Sequence, residues 1–349
     1  VKTYNNAIGM SVKGDTLSNA VEWAKATGRS AGVVTSVPFN HATPAAFTTH
    51  TKTRKNLGDI TTGMLFGSRC DVIMGCGDPG FNDNGKALTF WKGGKKVGDS
   101  LLWSDLMAGA GHRTAFRFKG KELTVRDADG DGNPDPWHVV RSTEEFRKLM
   151  EGPVPPRVLG VPMVGSTLQQ GRKMENGETR NSSPFVTPFN PGVPTLEEMS
   201  LGALNVLDNN PKGFFLMVEG GAIDWAGHGN QKGRLIEEMQ QFSRAVEAVV
   251  KWVEQHSSWE ETLLVVTSDH ETGLLWGKKP FEPLTDHGKG VLPGMKFHSN
   301  DHSNSLVPFF ARGAGSELYR HYADEYDEVR GPFLQNSEVP QLIRFLWYR

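Results

Sequence analysis

Apolar residues fall along the chain in two textures. Short unbroken runs are bounded by turn residues, and longer stretches repeat an apolar position every third or fourth residue. The runs Ser30–Thr35, Asp71–Gly75, Gly213–Glu219 and the one opening at Thr262 read as buried strands of a parallel sheet. Leu306–Ala311 is a further strand-like run. The periodic stretches predict helices. Asp15–Gly28 places Leu17, Val21 and Ala24 on one face, with Gly28 at the C-terminal cap. Another follows Thr43-Pro44, where proline suits the first turn. Thr195-Leu-Glu-Glu198 is a capping box opening a helix to about Asn209. Lys232–His256 and Val339–Trp347 complete the set. Between these elements lie a Gly-rich region of mixed character (77–140), a Pro- and Gly-rich surface excursion (151–194) and an aperiodic connection (276–302) suited to a rim or lid.

Strand and helix alternate throughout. This predicts an α/β fold with a doubly wound, mostly parallel central sheet, helices on both faces and loop insertions near the site. The expected organisation is a single domain over 1–349, N-terminally incomplete because the chain opens at Val1 in mid-pattern, with insertions at about 77–194 and 276–302. No repeat or low-complexity segment interrupts it.

Composition narrows the functions. A net charge of -2 over 349 residues gives no electrostatic footprint for nucleic acid. No apolar run approaches the ~20 residues of a membrane helix. The two cysteines, Cys70 and Cys76, flank a strand, and six extended residues span ~20 Å, well past the ~7 Å at which alpha carbons can be bridged. Two free, buried thiols are therefore expected. The basic stretch Lys92–Lys96 reads as a solvated hairpin turn.

Candidate chemistry gathers at strand ends. The strand 213–219 ends in the carboxylate of Glu219, and glycines then turn the chain into a helix. Asp224 and His228, four apart, share one face of that helix, so an oxygen and an imidazole nitrogen can aim at one point. The run from Thr262 ends in Asp269-His270, and His302 precedes the third run by four residues. Ligands bind beyond the carboxyl ends of strands in open parallel sheets, so these groups imply one shared metal site. A separate segment, Asp127-Ala-Asp129-Gly-Asp131-Gly-Asn133-Pro-Asp135, has oxygen side chains at alternate positions and glycine at the sixth. It resembles the start of a calcium loop, with His138 where the usual bidentate glutamate would stand.

Asn40-His-Ala-Thr43-Pro-Ala-Ala, the block 219–228, Val265-Val-Thr-Ser-Asp269-His270 and His302 occur in the order seen in the alkaline phosphatases. The chain resembles that family of metal-dependent hydrolases from Val1 to the segment around His302. The resemblance implies hydrolysis of small-molecule phosphate monoesters through a phosphoserine. It implies two zinc ions, the first held by Asp224, His228 and His302 and the second by Asp269 and His270. Glu219 and Thr43 would hold a third metal, usually magnesium. Arg54, eleven residues after Thr43, falls at the phosphate-clamping arginine, and His41 and Trp225 fall at variable positions around the third metal and the phosphate. The family's nucleophilic serine and one bridging aspartate would lie upstream of Val1. The resemblance further implies a periplasmic or secreted protein, often a homodimer. Related readings are a phosphodiesterase, a sulfatase or a metal-binding module without catalysis.

Overall fold

The computed structural model describes residues 3–89 and 100–348, so the Lys92–Lys96 turn lies outside the described residues. The chain forms two compact units, one from residues 1–171 and 190–219, the other from 172–189 and 220–347.

The first unit runs α1 (Ala20–Ala26), β1 (Ser30–Pro38), α2 (Ala42–Thr48), α3 (Leu57–Thr62), β2 (Val72–Cys76), α4 (Ser100–Ala108), β3 (Ala115–Phe118), β4 (Lys121–Thr124), β5 (His138–Val140), α5 (Thr143–Lys148), β6 (Val158–Gly160), α6 (Leu196–Leu207) and β7 (Phe214–Glu219). Strands β5-β6-β2-β1-β7 make a five-stranded parallel sheet, and β3–β4 is a separate hairpin. Helices flank the sheet, as the alternation of textures predicts. Ala31, Val33 and Val34 of β1 and Val72, Ile73 and Met74 of β2 are fully buried. β7 pairs only with β1 in this sheet, and all its residues are half-buried rather than fully buried as expected. The order matters for function. β2 and β6 extend the sheet on one side of β1 and β7 on the other, so the C-terminal ends of β1 and β7 flank a topological switch point.

Two expectations for this unit need correction. The first helix starts at Ala20, not Asp15. Asn19 accepts from the Glu22 amide while the Glu22 side chain accepts from the Asn19 amide, and this capping box sets the start. Asp15 instead accepts from the Ser11 hydroxyl in a turn that leaves Leu17 outside the helix. Gly28 does take the left-handed conformation, at φ +77°. The segment 151–194 is not wholly a surface excursion. Its residues Val158–Gly160 form β6, between β5 and β2, buried at every position. The prolines around this short run disguise it. Arg157 ahead of it is also buried, donating to the carbonyls of Ser68, Cys70, Arg126 and Asp135 and stacking over Trp137. Burial pulls its pKa down to about 10. Cys70 and Cys76 are free and buried as expected, and burial pushes the Cys70 thiol up to about 12.

The second unit contains α7 (Ala222–His228), α8 (Lys232–His256), β8 (Leu263–Val266), β9 (Glu271–Thr272), β10 (Leu275–Trp276), β11 (Lys296–Phe297), β12 (His302–Ser303), β13 (Phe310–Gly313), β14 (Glu325–Asp327), β15 (Gly331–Phe333) and α9 (Val339–Trp347). β8 pairs antiparallel with β13, not in the parallel manner expected of it. The run read as a strand from Leu306 becomes one only at Phe310, because Pro308 has no amide to give a ladder. The 276–302 connection contains the short β10–β11 pairing and brings β12 against β9. Residues 172–189 form a strap on α8. Arg172 pairs with Glu237 and Arg234 with Glu178, and all four side chains are buried, again against the surface reading of 151–194.

Candidate metal centre

α7 begins three residues after β7 ends, and one of its faces carries Asp224 and His228. His302 arrives on β12, which the β9–β12 ladder pins opposite Thr272. Three potential ligand atoms meet there. Asp224 Oδ1 lies 3.4 Å from His228 Nε2 and 3.3 Å from His302 Nε2, and the two imidazole nitrogens are 3.1 Å apart. A tetrahedral zinc with ligand bonds of ~2.0–2.1 Å separates its ligand atoms by roughly 3.3 Å. The triangle therefore matches the ligand spacing of one face of a zinc tetrahedron. The donor set, one carboxylate and two imidazoles, suits the same borderline ion.

Asp269 and His270 form a second edge of the same length, Oδ2 to Nε2 3.3 Å. His270 belongs with the first group. Its ring stacks on His302 at 3.6 Å between centroids, and Asp224, His270 and His302 each offer a ligand atom within 4.8 Å of the others. The carboxylate and imidazole groups thus form clusters able to hold divalent metal, with His302 common to the group of Asp224 and His270 and to that of His228 and Asp301.

Neighbouring groups fix these ligands. The Asn300 carbonyl can only accept, so His228 Nδ1, 2.7 Å away, donates to it, and Nε2 is the nitrogen that faces the cluster. Thr272 Oγ1 lies 2.6 Å from Asp224 Oδ1 and 3.2 Å from His270 Nδ1. Asp301, whose carboxylate clusters with His228 and His302, adds negative charge beside the first triangle. None of Asn300, Thr272 and Asp301 was singled out from the sequence. Only the adjacency of Asp301 to His302 could have drawn notice.

In the first unit, β7 ends with Glu219 in register with Thr35 of β1, and the Thr35 hydroxyl donates to Glu219 Oε2 at 2.5 Å. Thr43 lies in the first turn of α2, half-buried, and His41 stands at its N-cap without a side-chain cap bond. Arg54 sits in a turn beyond α2 rather than on a helix, its amide tied to the Asn6 carbonyl. Its Nη2 comes 3.5 Å from His41 Nε2. The switch-point strands thus carry Glu219 directly and Thr43 and His41 just beyond. Trp225 lies half-buried on α7 in the second unit.

In the 127–135 loop, Asp127, Asp129 and Asp135 bring carboxylate oxygens within 4.8 Å of one another, whereas Asp131 does not join that group. Asp127 accepts from the amides of Gly130 and Gly132, which holds its carboxyl below the usual range. His138, the twelfth position, starts β5 with its amide bonded to the Arg157 carbonyl.

Comparison with known proteins converges on one description. A family model for alkaline phosphatase matches residues 1–328. Alkaline phosphatase 4 of Bacillus subtilis is 29% identical over 278 residues, covering 78% of this chain and 47% of that protein. The repressible alkaline phosphatase of Saccharomyces cerevisiae is 30% identical over 286 residues, covering 79% and 44%. The chain thus spans about half the length of the curated relatives it matches. A cold-active alkaline phosphatase from the psychrophile Shewanella sp. shares the fold, with a TM-score of 0.66 at 23% identity over 99% of this chain and 82% of that one.

Proposed function

The chain belongs to the alkaline phosphatase family, and from that premise we propose that it hydrolyses phosphate monoesters to an alcohol and inorganic phosphate. The observation that carries this reading is the triangle of Asp224, His228 and His302, with edges of 3.1, 3.3 and 3.4 Å. Those three would hold the first zinc, and Asp269 with His270 the second. Glu219 and the Thr43 hydroxyl offer oxygen alone, which suits magnesium.

A phosphate monoester dianion repels nucleophiles, and its alkoxide is a poor leaving group. Paired divalent ions supply Lewis acidity at both the attacking and the leaving oxygen when bound. The chain's own groups do the rest. Arg54 would grip two phosphoryl oxygens in a bidentate fork that lysine cannot offer. His41, in contact with Arg54, would set the angle of that fork. The Asn300 carbonyl keeps the His228 proton on Nδ1, away from the ligand face. Passage through a phosphoserine is carried over from the family as part of this proposal. Among the described residues no helix is long and apolar enough to cross a membrane. A periplasmic or secreted location and homodimerisation are carried over from the family as part of this proposal.

The test uses the full-length protein, its His302→Ala variant, elemental analysis and a panel of chromogenic esters. The parent is expected to bind zinc and to cleave phosphate monoesters over phosphate diesters and sulfate esters. His302→Ala is expected to lose zinc and activity together. Unchanged zinc content in the variant would remove His302 from the site. Preferential turnover of diesters or sulfate esters would replace the proposed activity with a related one.

A further inference from the structure

Thr272 touches one ligand from each proposed zinc site. We propose that its hydroxyl is a positioning group that couples the two, a role that rests on the assignment of Asp224 to the first and His270 to the second. The carboxylate of Asp224 has no proton to give when ionised, so the Thr272 hydroxyl donates to Oδ1 across 2.6 Å. The hydroxyl oxygen then accepts from His270 Nδ1 at 3.2 Å. That direction makes Nδ1 the donor and fixes the orientation of the His270 ring. With Nδ1 turned to the Thr272 hydroxyl, Nε2 is the nitrogen left to face a cation, and Nε2 is the atom 3.3 Å from Asp269 Oδ2. One hydroxyl thereby orients a carboxylate and an imidazole at once.

The backbone around Thr272 leaves that hydroxyl little freedom. β9 pairs with β12 so that Thr272 stands opposite His302, another ligand of the first site. The Ser303 hydroxyl donates to Glu271 Oε2 on the same ladder, at 2.5 Å. α7 lies directly on β9, since a Cβ added at Gly227 would come within 2.9 Å of the Thr272 carbonyl. Three ligand-bearing segments therefore meet at Thr272: α7 with Asp224 and His228, the 269–270 turn, and β12 with His302. A purely structural threonine would serve as a β-branched filler, and valine has nearly the same shape. The hydroxyl is the part that the metal ligands use.

The experiment compares Thr272→Val, Thr272→Ala and Thr272→Ser in the full-length protein. Zinc affinity is read by competition with a chromogenic chelator, and ligand geometry by the electronic spectrum of the cobalt-substituted protein. Circular dichroism of the metal-free variants checks the fold. Val and Ala should lose about 10–100-fold in zinc affinity, the usual effect of removing an outer partner of a metal ligand, and should alter the cobalt bands. Ser should hold the parent's affinity and spectrum. If the valine variant does not fold, the contrast of Ala with Ser decides. Val or Ala binding zinc as the parent does, with the parent cobalt spectrum, would overturn the role of Thr272 alone. A parent that binds no zinc would overturn the site assignment and this role with it.

Discussion

Replacing Glu237 with Ala should lower the unfolding free energy by about 3–5 kcal/mol, the range for stripping one partner from a buried ion pair. Both side chains of the Arg172–Glu237 pair are only 1% exposed. Glu237 Oε2 accepts from Arg172 Nη2 at 2.8 Å, and Oε1 accepts from the Phe185 amide at 2.6 Å. Without the carboxylate, the Arg172 guanidinium loses its closest counter-charge while keeping the carbonyls of Thr187 and Pro188, and it still faces the charge of Arg234. Desolvation already pulls the Arg172 pKa down with Glu237 present. Glu237→Gln keeps an acceptor but not the charge, so its cost should fall to about 1.5–3 kcal/mol. The double variant Arg172→Met/Glu237→Leu removes both charges and should lie near the parent. Urea unfolding of metal-stripped protein is the assay, because bound zinc would add stability by mass action. Limited proteolysis within 172–189 reports whether the strap opens. The consequence reaches the site, since α8 starts four residues after His228 and its first amide donates to the Arg180 carbonyl of the strap. A Glu237→Ala unfolding free energy within about 1 kcal/mol of the parent at unchanged m-value, with the double variant no better, would refute this account.

Arg54→Ala should weaken inhibition by inorganic phosphate while zinc content stays at the parent level, and equal inhibition would remove Arg54 from phosphate binding. His50 places Nδ1 2.9 Å from the Gly9 carbonyl and Nε2 2.9 Å from Glu22 Oε1, both acceptors, so the ring satisfies both only when doubly protonated. Its hydrogen bond to Glu22 raises the His50 pKa above 6.5, and the same bond lowers that of Glu22 below 4.5. The His50 contribution is complete below 6.5 and fades as pH rises through the raised value, while that of Glu22 is present above 4.5 and fades as pH falls through the lowered one. His50→Gln should therefore destabilise by about 0.5–1 kcal/mol near pH 6, a figure for a partly exposed pair. That gap should close at alkaline pH, and a gap independent of pH would contradict the pairing. Calcium added after chelation should raise the melting temperature of the parent but not of Asp129→Asn, because a cation relieves the repulsion among Asp127, Asp129 and Asp135. No shift in the parent would leave the loop as a solvated acidic turn.

Elements that carry their own start and stop signals were legible in the sequence. α8 and α9 run over the residues that periodicity assigns them, and the Thr195 box opens α6. β6 was not legible, because three apolar residues among prolines look the same in a buried central strand as in a loop. The start of α1 was misread because two capping residues compete, and Asn19 with Glu22 satisfies two amides where Asp15 satisfies none in the helix. The antiparallel β8–β13 pair was misread because an apolar run does not say which partner it will find.

The same division runs through the candidate metal centre. Asp224 and His228 were visible as a pair because one helix turn brings them together, a local fact written in their spacing. His302 was visible as a residue, but its place in the triangle comes from the β9–β12 ladder, which no local pattern encodes. The groups that contact the candidate ligands are less legible still. His228 is held by a backbone carbonyl, which any residue at position 300 would supply, so that contact leaves no trace in side-chain identity. Thr272 does depend on its side chain, yet threonine in a short strand is ordinary on propensity alone. The hydroxyl gains meaning only when α7, the 269–270 turn and β12 are brought to one point, which is why its role had to wait for the fold.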